Sequence, residues 1–569
     1  MKSKNLFTFF LREIDIKTWL KVNVNLTLQL LLVLFEILFI IIFFLLINGT
    51  VDIGLIGNFL EKIKDYIHLN IFSLSQPEIY ILLLVFFLLF KNLLTLFQIY
   101  FYSNMVFQLT KDKSKNILKI YLSKSYEKFN KKTVSEYIKQ IIRDAENVFI
   151  GIFGLLVTIA CEILYLFILI YFVSKIVDFQ FSIEFILLVF SLIIILYFLM
   201  SLSKKLGNIR AINEIKVFKS LTETLNIFKE IKTKNNNDLF VNRFGNFLKN
   251  YFNSRVGAGV INVTPKFIFE IFIILFFFII FRNQNLSIES FLLDYSVLAI
   301  ALLRMIPSFS KISQSWSMVL YQIRAINFLD YDLSNNLDKI SFKQKKILEK
   351  INQISLKDVE IRYQRLNSKF LSKKLKNINL NFVKGNIYGL FGESGSGKTS
   401  ILNIIAGFIS PHRGALYVNE RKMKTNEITK KFRIGYATQN PTIIDENISF
   451  NTTLDIPSNE KEKNKLDSKV KFYLNIFNLK KFDISKFFKN TSMSSIKNMS
   501  GGEVQRIGFI RSIIDDPEVI LLDEPTSSLD QKNEKKILNY LSKIKNDKII
   551  IMTSHKKSHK KYFDKIIYL

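Results

Sequence analysis

Residues 387–408 read IYGLFGESGSGKTSILNIIAGF. An apolar run is followed by Gly392-Glu-Ser-Gly395-Ser-Gly397-Lys398-Thr399 and then by a helical segment that includes Ser400. This matches G-x-x-x-x-G-K-[ST] in the strand–loop–helix setting that the motif requires. Glycines let successive backbone N–H groups converge on phosphate oxygens, and the helix N-terminus adds a positive dipole. Lys398 is placed to neutralise β- and γ-phosphates, and Thr399 to offer its hydroxyl to Mg²⁺.

Outward from this loop, Val519-Ile-Leu-Leu-Asp523-Glu524 is an apolar strand ending in two acids. Alone, it reads as a strand end capped by solvated carboxylates. With a phosphate loop earlier in the chain, Asp523 is expected in the Mg²⁺ shell and Glu524 as the group that polarises the attacking water.

Between the two lies Met499-Ser500-Gly501-Gly502-Glu503-Val504-Gln505-Arg506, which resembles the LSGGQ signature of ABC ATPases. The resemblance runs from Ile354 to Leu569. It implies an adenine-stacking role for Tyr363 and a Mg²⁺ contact for Gln439 in YATQNP. It also implies a D-loop at Ser527–Asp530 and a γ-phosphate-sensing role for His555 in MTSH. His559 is a rival, but Thr-Ser immediately precedes His555. The implied nucleotide-binding set is Tyr363, Gly392, Gly395, Gly397, Lys398, Thr399, Ser400, Gln439, Ser500, Gly501, Gly502, Glu503, Asp523 and Asp530. The resemblance further implies that Thr399, Gln439 and Asp523 hold Mg²⁺ and that Glu524 and His555 are catalytic. In this family two nucleotide domains sandwich two ATPs, so Ser500 and Gly502 act across to a second domain. One such domain per chain implies a second copy, most simply a homodimer. Two positions depart from the usual signature: Met499 replaces Leu and Glu503 replaces Gln.

The other end of the chain is of a different kind. Six apolar stretches, at about 25–47, 79–101, 148–173, 182–202, 258–281 and 287–307, each approach the ~20 residues that span a bilayer. The first is too long for a signal-peptide core and lacks a small-residue cleavage site, so it is expected to be retained. Residues 3–22 mix aromatics with cations and read as an interfacial helix. NFLEKIKDYIHL, around 59–69, reads as an outer amphipathic helix.

The whole chain of 569 residues is 49% hydrophobic and carries 79 Lys+Arg against 48 Asp+Glu, a net charge of +31. Lys+Arg number 5 in residues 1–22, 10 in 103–147 and 11 in 203–255, against 2, 1 and 1 in loops 48–78, 174–181 and 282–286. That asymmetry is the positive-inside rule. It places the N-terminus, both long loops and the nucleotide domain in the cytoplasm, and it explains the charge without nucleic acid. One cysteine, Cys161, and four histidines exclude a disulfide framework and a zinc cluster. The long loops contain no proline, which predicts helices that continue the spans into the cytoplasm.

Six spans before one nucleotide domain resemble the exporter-type (type IV) ABC fold. The expected organisation is a polytopic α-helical membrane domain at 1–330, a linker at 331–353 and an α/β P-loop domain at 354–569. Loop segments 126–140 and 222–234 then correspond to coupling helices, which would touch the nucleotide domain of the other subunit.

Lys91, Lys266 and Arg304 interrupt apolar runs. A cation facing lipid costs from ~2.5 to more than 10 kcal/mol, so each is expected to face a cavity or a partner. Lys266 and Glu270 are spaced to pair on one helix, and Lys91 is long enough to snorkel. FKNLL, VTPKFIFE and LRMIPSFSKI around these residues resemble stretches of bacterial lipid-linked oligosaccharide flippases. There, basic residues contact the lipid pyrophosphate. This resemblance implies an ATP-driven flippase for a polyprenyl-pyrophosphate oligosaccharide in the bacterial inner membrane, serving protein glycosylation. Export of another lipid, a peptide or a drug is one alternative, and a regulatory or channel-like ABC protein is another.

Overall fold

The computed structural model describes residues 4–48, 76–173, 183–284, 288–327, 329, 349–364, 371–479 and 499–569. The expected outer helix around 59–69 and residues 331–348 of the expected linker lie outside these. Two compact units divide the chain: residues 1–123 with 132–340, and residues 124–131 with 341–569.

The first unit is helical. Its elements are α1 (Lys4–Glu13), α2 (Ile16–Asn48) and α3 (Gln76–Ser123), then, beyond the short helix α4 (Tyr126–Phe129), α5 (Val134–Ile138) and α6 (Leu155–Val173). After these come α7 (Ile183–Asn226), α8 (Phe228–Lys234), α9 (Asn237–Gln284) and α10 (Ile288–Gln322). Between α5 and α6, residues 139–144 and 146–154 are wound as π-helix. Among the described residues five helices are long and apolar enough to cross a membrane: α2, α3, α7, α9 and the run through α6. The helix expected as the sixth span, α10, carries Arg304 and Lys311 in its middle.

Both α3 and α9 have 48 residues. At 1.5 Å per residue each is about 70 Å long, more than twice the ~30 Å hydrocarbon core. The helices therefore do continue past the bilayer, as the proline-free loops predicted. Leu82, Phe86, Leu89, Leu93 and Leu96 form an exposed apolar stripe on α3, which a lipid surface tolerates and water does not. Helix α1, expected to lie at the interface, turns part of its apolar face to protein. Phe9 and Phe10 are buried, and the Phe10 ring lies 5.5 Å from Phe153.

The second unit carries two sheets. One is antiparallel, in the order β2-β1-β4-β5, from β1 (Gln353–Gln364), β2 (Leu371–Val383), β4 (Arg413–Val418) and β5 (Arg421–Met423). The other is parallel, in the order β6-β7-β8-β3-β9. It is built from β3 (Ile387–Phe391), β6 (Ile434–Ala437), β7 (Val519–Leu522), β8 (Ile549–Thr553) and β9 (Lys565–Tyr568). Every residue of β3, β7 and β8 is buried, as expected of parallel strands covered on both faces. Ile507, Phe509 and Ile510 pack one face, and Ile401, Leu402 and Ile405 the other.

Residues 124–131 belong to this second unit although they fall between membrane helices in sequence. The Tyr126 ring lies 5.3 Å from Phe408, which in turn lies 5.5 Å from Tyr436. Ser125, Lys128 and Lys131 line a groove of about 490 Å³ with Phe408, Met423 and Ile428. The sequence reading gave this segment a contact in the other subunit and did not foresee the one in its own chain. An aromatic on a short helix finds an apolar socket in its own chain. Of the second segment, 222–226 closes α7 and the remainder forms α8, in the first unit.

Candidate functional site

Parallel strands in register end along one edge, and in open α/β sheets ligands bind outside those carboxyl ends. β3 pairs with β8 (Ile387 with Ile550), and β8 with β7 (Ile549 with Val519). The phosphate loop after β3, Asp523-Glu524 after β7 and Ser554-His555 after β8 are thereby gathered at one place.

In the loop, Gly395 and Gly397 have φ of 80° and 100°, values a side chain resists. Gly397 caps helix α11 (Lys398–Ile405). The Lys398 ammonium donates to the carbonyls of Gly392 (2.8 Å) and Glu393 (2.9 Å), so it lies folded over its own loop. Burial holds it below the ordinary lysine range, opposed by the charges of Glu524 and Asp523. The Ser396 hydroxyl is buried without a hydrogen-bond partner. An orphaned buried donor beside converging backbone amides fits a phosphate oxygen.

Glu524 is the hub of the edge. Its Oε2 accepts from Gln439 Nε2 at 2.9 Å, and its Oε1 lies 2.7 Å from His555 Nε2. Its backbone N–H donates to Thr553 Oγ1 at 2.8 Å, and that hydroxyl donates to Asp523 Oδ1 at 2.9 Å. Its φ of 46° is left-handed, a conformation that costs a non-glycine residue about 1–2 kcal/mol. Three expected residues, Gln439, Glu524 and His555, therefore stand in one contiguous row. His559, the rival, is buried elsewhere: Nδ1 meets Ser554 Oγ and Nε2 meets Glu534 Oε1, both at 2.7 Å. Thr399, Gln439 and Asp523 offer hard oxygen ligands of the kind Mg²⁺ takes.

The signature opens helix α12 (Gly501–Ile513). Ser500 accepts from Glu503 N, and the Glu503 carboxylate accepts from Ser500 N at 2.9 Å. This reciprocal capping box gives Glu503, a departure from the usual glutamine, a local structural role. Asp530 caps helix α13 (Gln531–Ile544) by accepting from Asn533 N at 2.7 Å. Backbone at Tyr363 pairs with Ser372 on β2, and its side chain lies outside the described residues. Sequence reasoning missed Gln505. Its side chain donates to the Glu524 carbonyl (3.0 Å) and to Ser527 Oγ (2.8 Å), and it accepts from Ser528 N, tying the signature helix to the D-loop. The signal was present, since Gln505 stands inside the quoted motif.

A second site lies in the first unit. Residues of α2, α3, α6 and α10 surround a cavity of about 570 Å³. Lys91 and Arg304 line it, and both pair with buried Glu36; Arg304 Nη1 lies 3.1 Å from Glu36 Oε1. Arg304 also sits over the Phe39 ring at 4.4 Å. Lys311, which the sequence reading passed over, lines the cavity and meets Glu162 at 2.8 Å. Its position seven residues after Arg304, on the same helical face, was the available clue. Gln98 Nε2 donates to Gln29 Oε1 at 2.8 Å, and Asn25 Nδ2 to Cys161 Sγ at 3.2 Å, completing a polar wall. The third expected cation is not brought here. Lys266 is half exposed and pairs with Glu270 one turn along α9, at 3.8 Å. The i,i+4 spacing prevailed at that position.

Residues 38–305 match the ABC transporter transmembrane region, and residues 375–527 match the ABC transporter family. A probable ABC transporter ATP-binding/permease protein of Haemophilus influenzae is 33% identical over 224 residues, 38% of this chain and 39% of that protein. The lipoprotein-releasing system ATP-binding protein LolD of Buchnera aphidicola is 33% identical over 203 residues, 35% of this chain and 85% of that protein. The solved structure of a bacterial Atm1-family ABC exporter with ATP bound is similar in fold. Its TM-score is 0.70 at 15% identity, covering 97% of this chain and 93% of that one. The chain belongs to the ABC transporter family. It is a multi-pass membrane protein with an exporter-type fold, and its C-terminal domain is an ABC ATP-binding domain.

Proposed function

We propose that two copies of this chain form a homodimeric flippase. In this reading it moves a lipid-linked, polyprenyl-pyrophosphate oligosaccharide across the bacterial inner membrane for protein glycosylation. The observation that carries the reading is the meeting of Lys91 and Arg304, far apart in sequence, on one cavity among apolar helices. A pyrophosphate cannot enter hydrocarbon without a large solvation cost, and a wet cationic cavity removes most of it. Such a headgroup is the chemistry that two convergent cations recognise.

At the nucleotide edge, Gly392, Gly395, Gly397, Lys398, Thr399 and Ser400 cradle the phosphates. Tyr363 stacks on adenine, and Ser500, Gly501, Gly502 and Glu503 reach the ATP held by the other copy. Thr399, Gln439 and Asp523 would hold Mg²⁺, which would supply positive charge against the phosphates. Glu524 orients the attacking water, and His555 and Gln439 keep both its carboxylate oxygens in place. Asp530 lies at the facing edge. The basic loops and the nucleotide domain lie on the cytoplasmic side.

A second reading, an exporter of another lipid, a peptide or a drug, draws support from Glu36 and Glu162. These carboxylates in the same cavity suit a cargo that carries positive charge as well. The deciding experiment reconstitutes the protein in vesicles with labelled polyprenyl-pyrophosphate glycans, phospholipids and peptides. Translocation of the pyrophosphate glycan above the others supports the flippase, and selective movement of a peptide or phospholipid rejects it. A regulatory role without pumping would require biological activity to survive Glu524→Gln.

A further inference from the structure

The cation pair in the membrane cavity is already occupied by the protein itself. Glu36 is 2% exposed, and its two carboxylate oxygens are divided between Lys91 on α3 and Arg304 on α10. A carboxylate bridging two cations from two helices is the arrangement an incoming headgroup would have to make. We propose that Glu36 is a built-in competitor for the headgroup. It fills the Lys91–Arg304 seat until an incoming anion displaces it, and so weakens the binding of any anionic headgroup there. This inference rests on the reading of the cavity as a headgroup site.

The physical case has three parts. First, Glu36 is tethered, so its effective concentration at the cations is of order millimolar or higher before any ligand arrives. Displacing it costs a free carboxylate and a phosphate the same factor in affinity. A phosphate group brings up to two charges and three acceptor oxygens, so its attraction to the two cations is roughly doubled.

Second, the seat survives the exchange. Arg304 is held over the Phe39 ring at 4.4 Å, an attraction that does not depend on Glu36.

Third, the cavity has a second carboxylate of a different kind. Glu162 also lines it, but its partner is Lys311, which is 59% exposed. It removes no charge from the Lys91–Arg304 pair. The two acids therefore make a matched comparison, equal in charge and unequal in place.

The test measures binding of two probes with the same tail, geranylgeranyl pyrophosphate and geranylgeranoic acid, to the full-length protein in lipid nanodiscs. Glu36→Gln should tighten binding of both probes by about ten-fold or more, because the tethered competitor is gone. Glu162→Gln should tighten neither to a comparable extent. Glu36→Asp keeps the charge but is one methylene too short to bridge both cations, so it should tighten binding part-way. If Glu36→Gln does not assemble, Glu36→Asp carries the test. Unchanged affinities in the Glu36 variants, or equal tightening by Glu162→Gln, would each overturn the competitor while leaving a headgroup site standing. Failure of wild type to bind the pyrophosphate probe would overturn the headgroup reading itself, and the competitor with it.

Discussion

The nucleotide edge and the membrane cavity are both built around a carboxylate with two partners, yet they are opposite in kind. Glu524 lies at a strand end, held by an amide and an imidazole, beside a loop whose Ser396 hydroxyl is buried and unpartnered. Glu36 lies inside helices, and its partners are full cations. The first arrangement leaves donors waiting for a ligand. The second is internally complete, because a bilayer leaves an unpaired charge no water to turn to. The difference teaches that a ligand could enter the nucleotide edge directly, whereas an anion entering the membrane cavity would have to displace Glu36.

The most direct way to break this comparison is Glu524→Gln. ATP turnover by the reconstituted protein should fall about 10²- to 10⁴-fold, the usual worth of a positioned base. Turnover within a factor of a few of wild type would remove Glu524 from its role.

In the membrane cavity, neutralising Lys91 and Arg304 together strips both partners from Glu36. Translocation in vesicles should fall by more than about ten-fold, while ATP turnover falls less, because the lost groups lie in the other unit. Equal losses of the two activities would contradict the separation of roles.

Lys398→Ala sharpens the first half of the comparison. Loss of a charge-assisted contact of about 1.5–3 kcal/mol should weaken ATP binding roughly 10- to 100-fold, as a fluorescent nucleotide titration would show. Smaller again is Ser500→Ala, which removes a helix cap worth about 1 kcal/mol and should lower thermal stability of the nucleotide domain modestly.

Acidification offers the gentlest probe. Burial raises the Glu534 carboxyl, but hydrogen bonds from Lys556 and His559 outweigh it and leave the group below its ordinary 4.5. A depressed carboxyl stabilises the fold above its unfolded value and loses that contribution as pH falls through the folded one. Glu534→Gln should therefore flatten the acid limb of a melting-temperature profile, and an unchanged limb would count against the pairing.

What the sequence by itself determined is what short-range patterns encode. The phosphate loop needs its glycines at fixed spacing, and the spans need unbroken apolar runs. The expected topology rests only on the unequal distribution of lysine and arginine. These readings led to the α/β domain, the long helices and the gathering of Gln439, Glu524 and His555. Tertiary structure decided what depends on residues far apart in the chain. Whether Lys266 joins Lys91 and Arg304 turns on helix rotation, and it pairs with Glu270 along its own helix instead. Whether residues 124–131 travel with the membrane helices turns on an apolar socket around Phe408. That Glu36 answers two cations 55 and 268 positions away could not be read from spacing, because electrostatic pairing depends on distance in space and the sequence records only order along the chain.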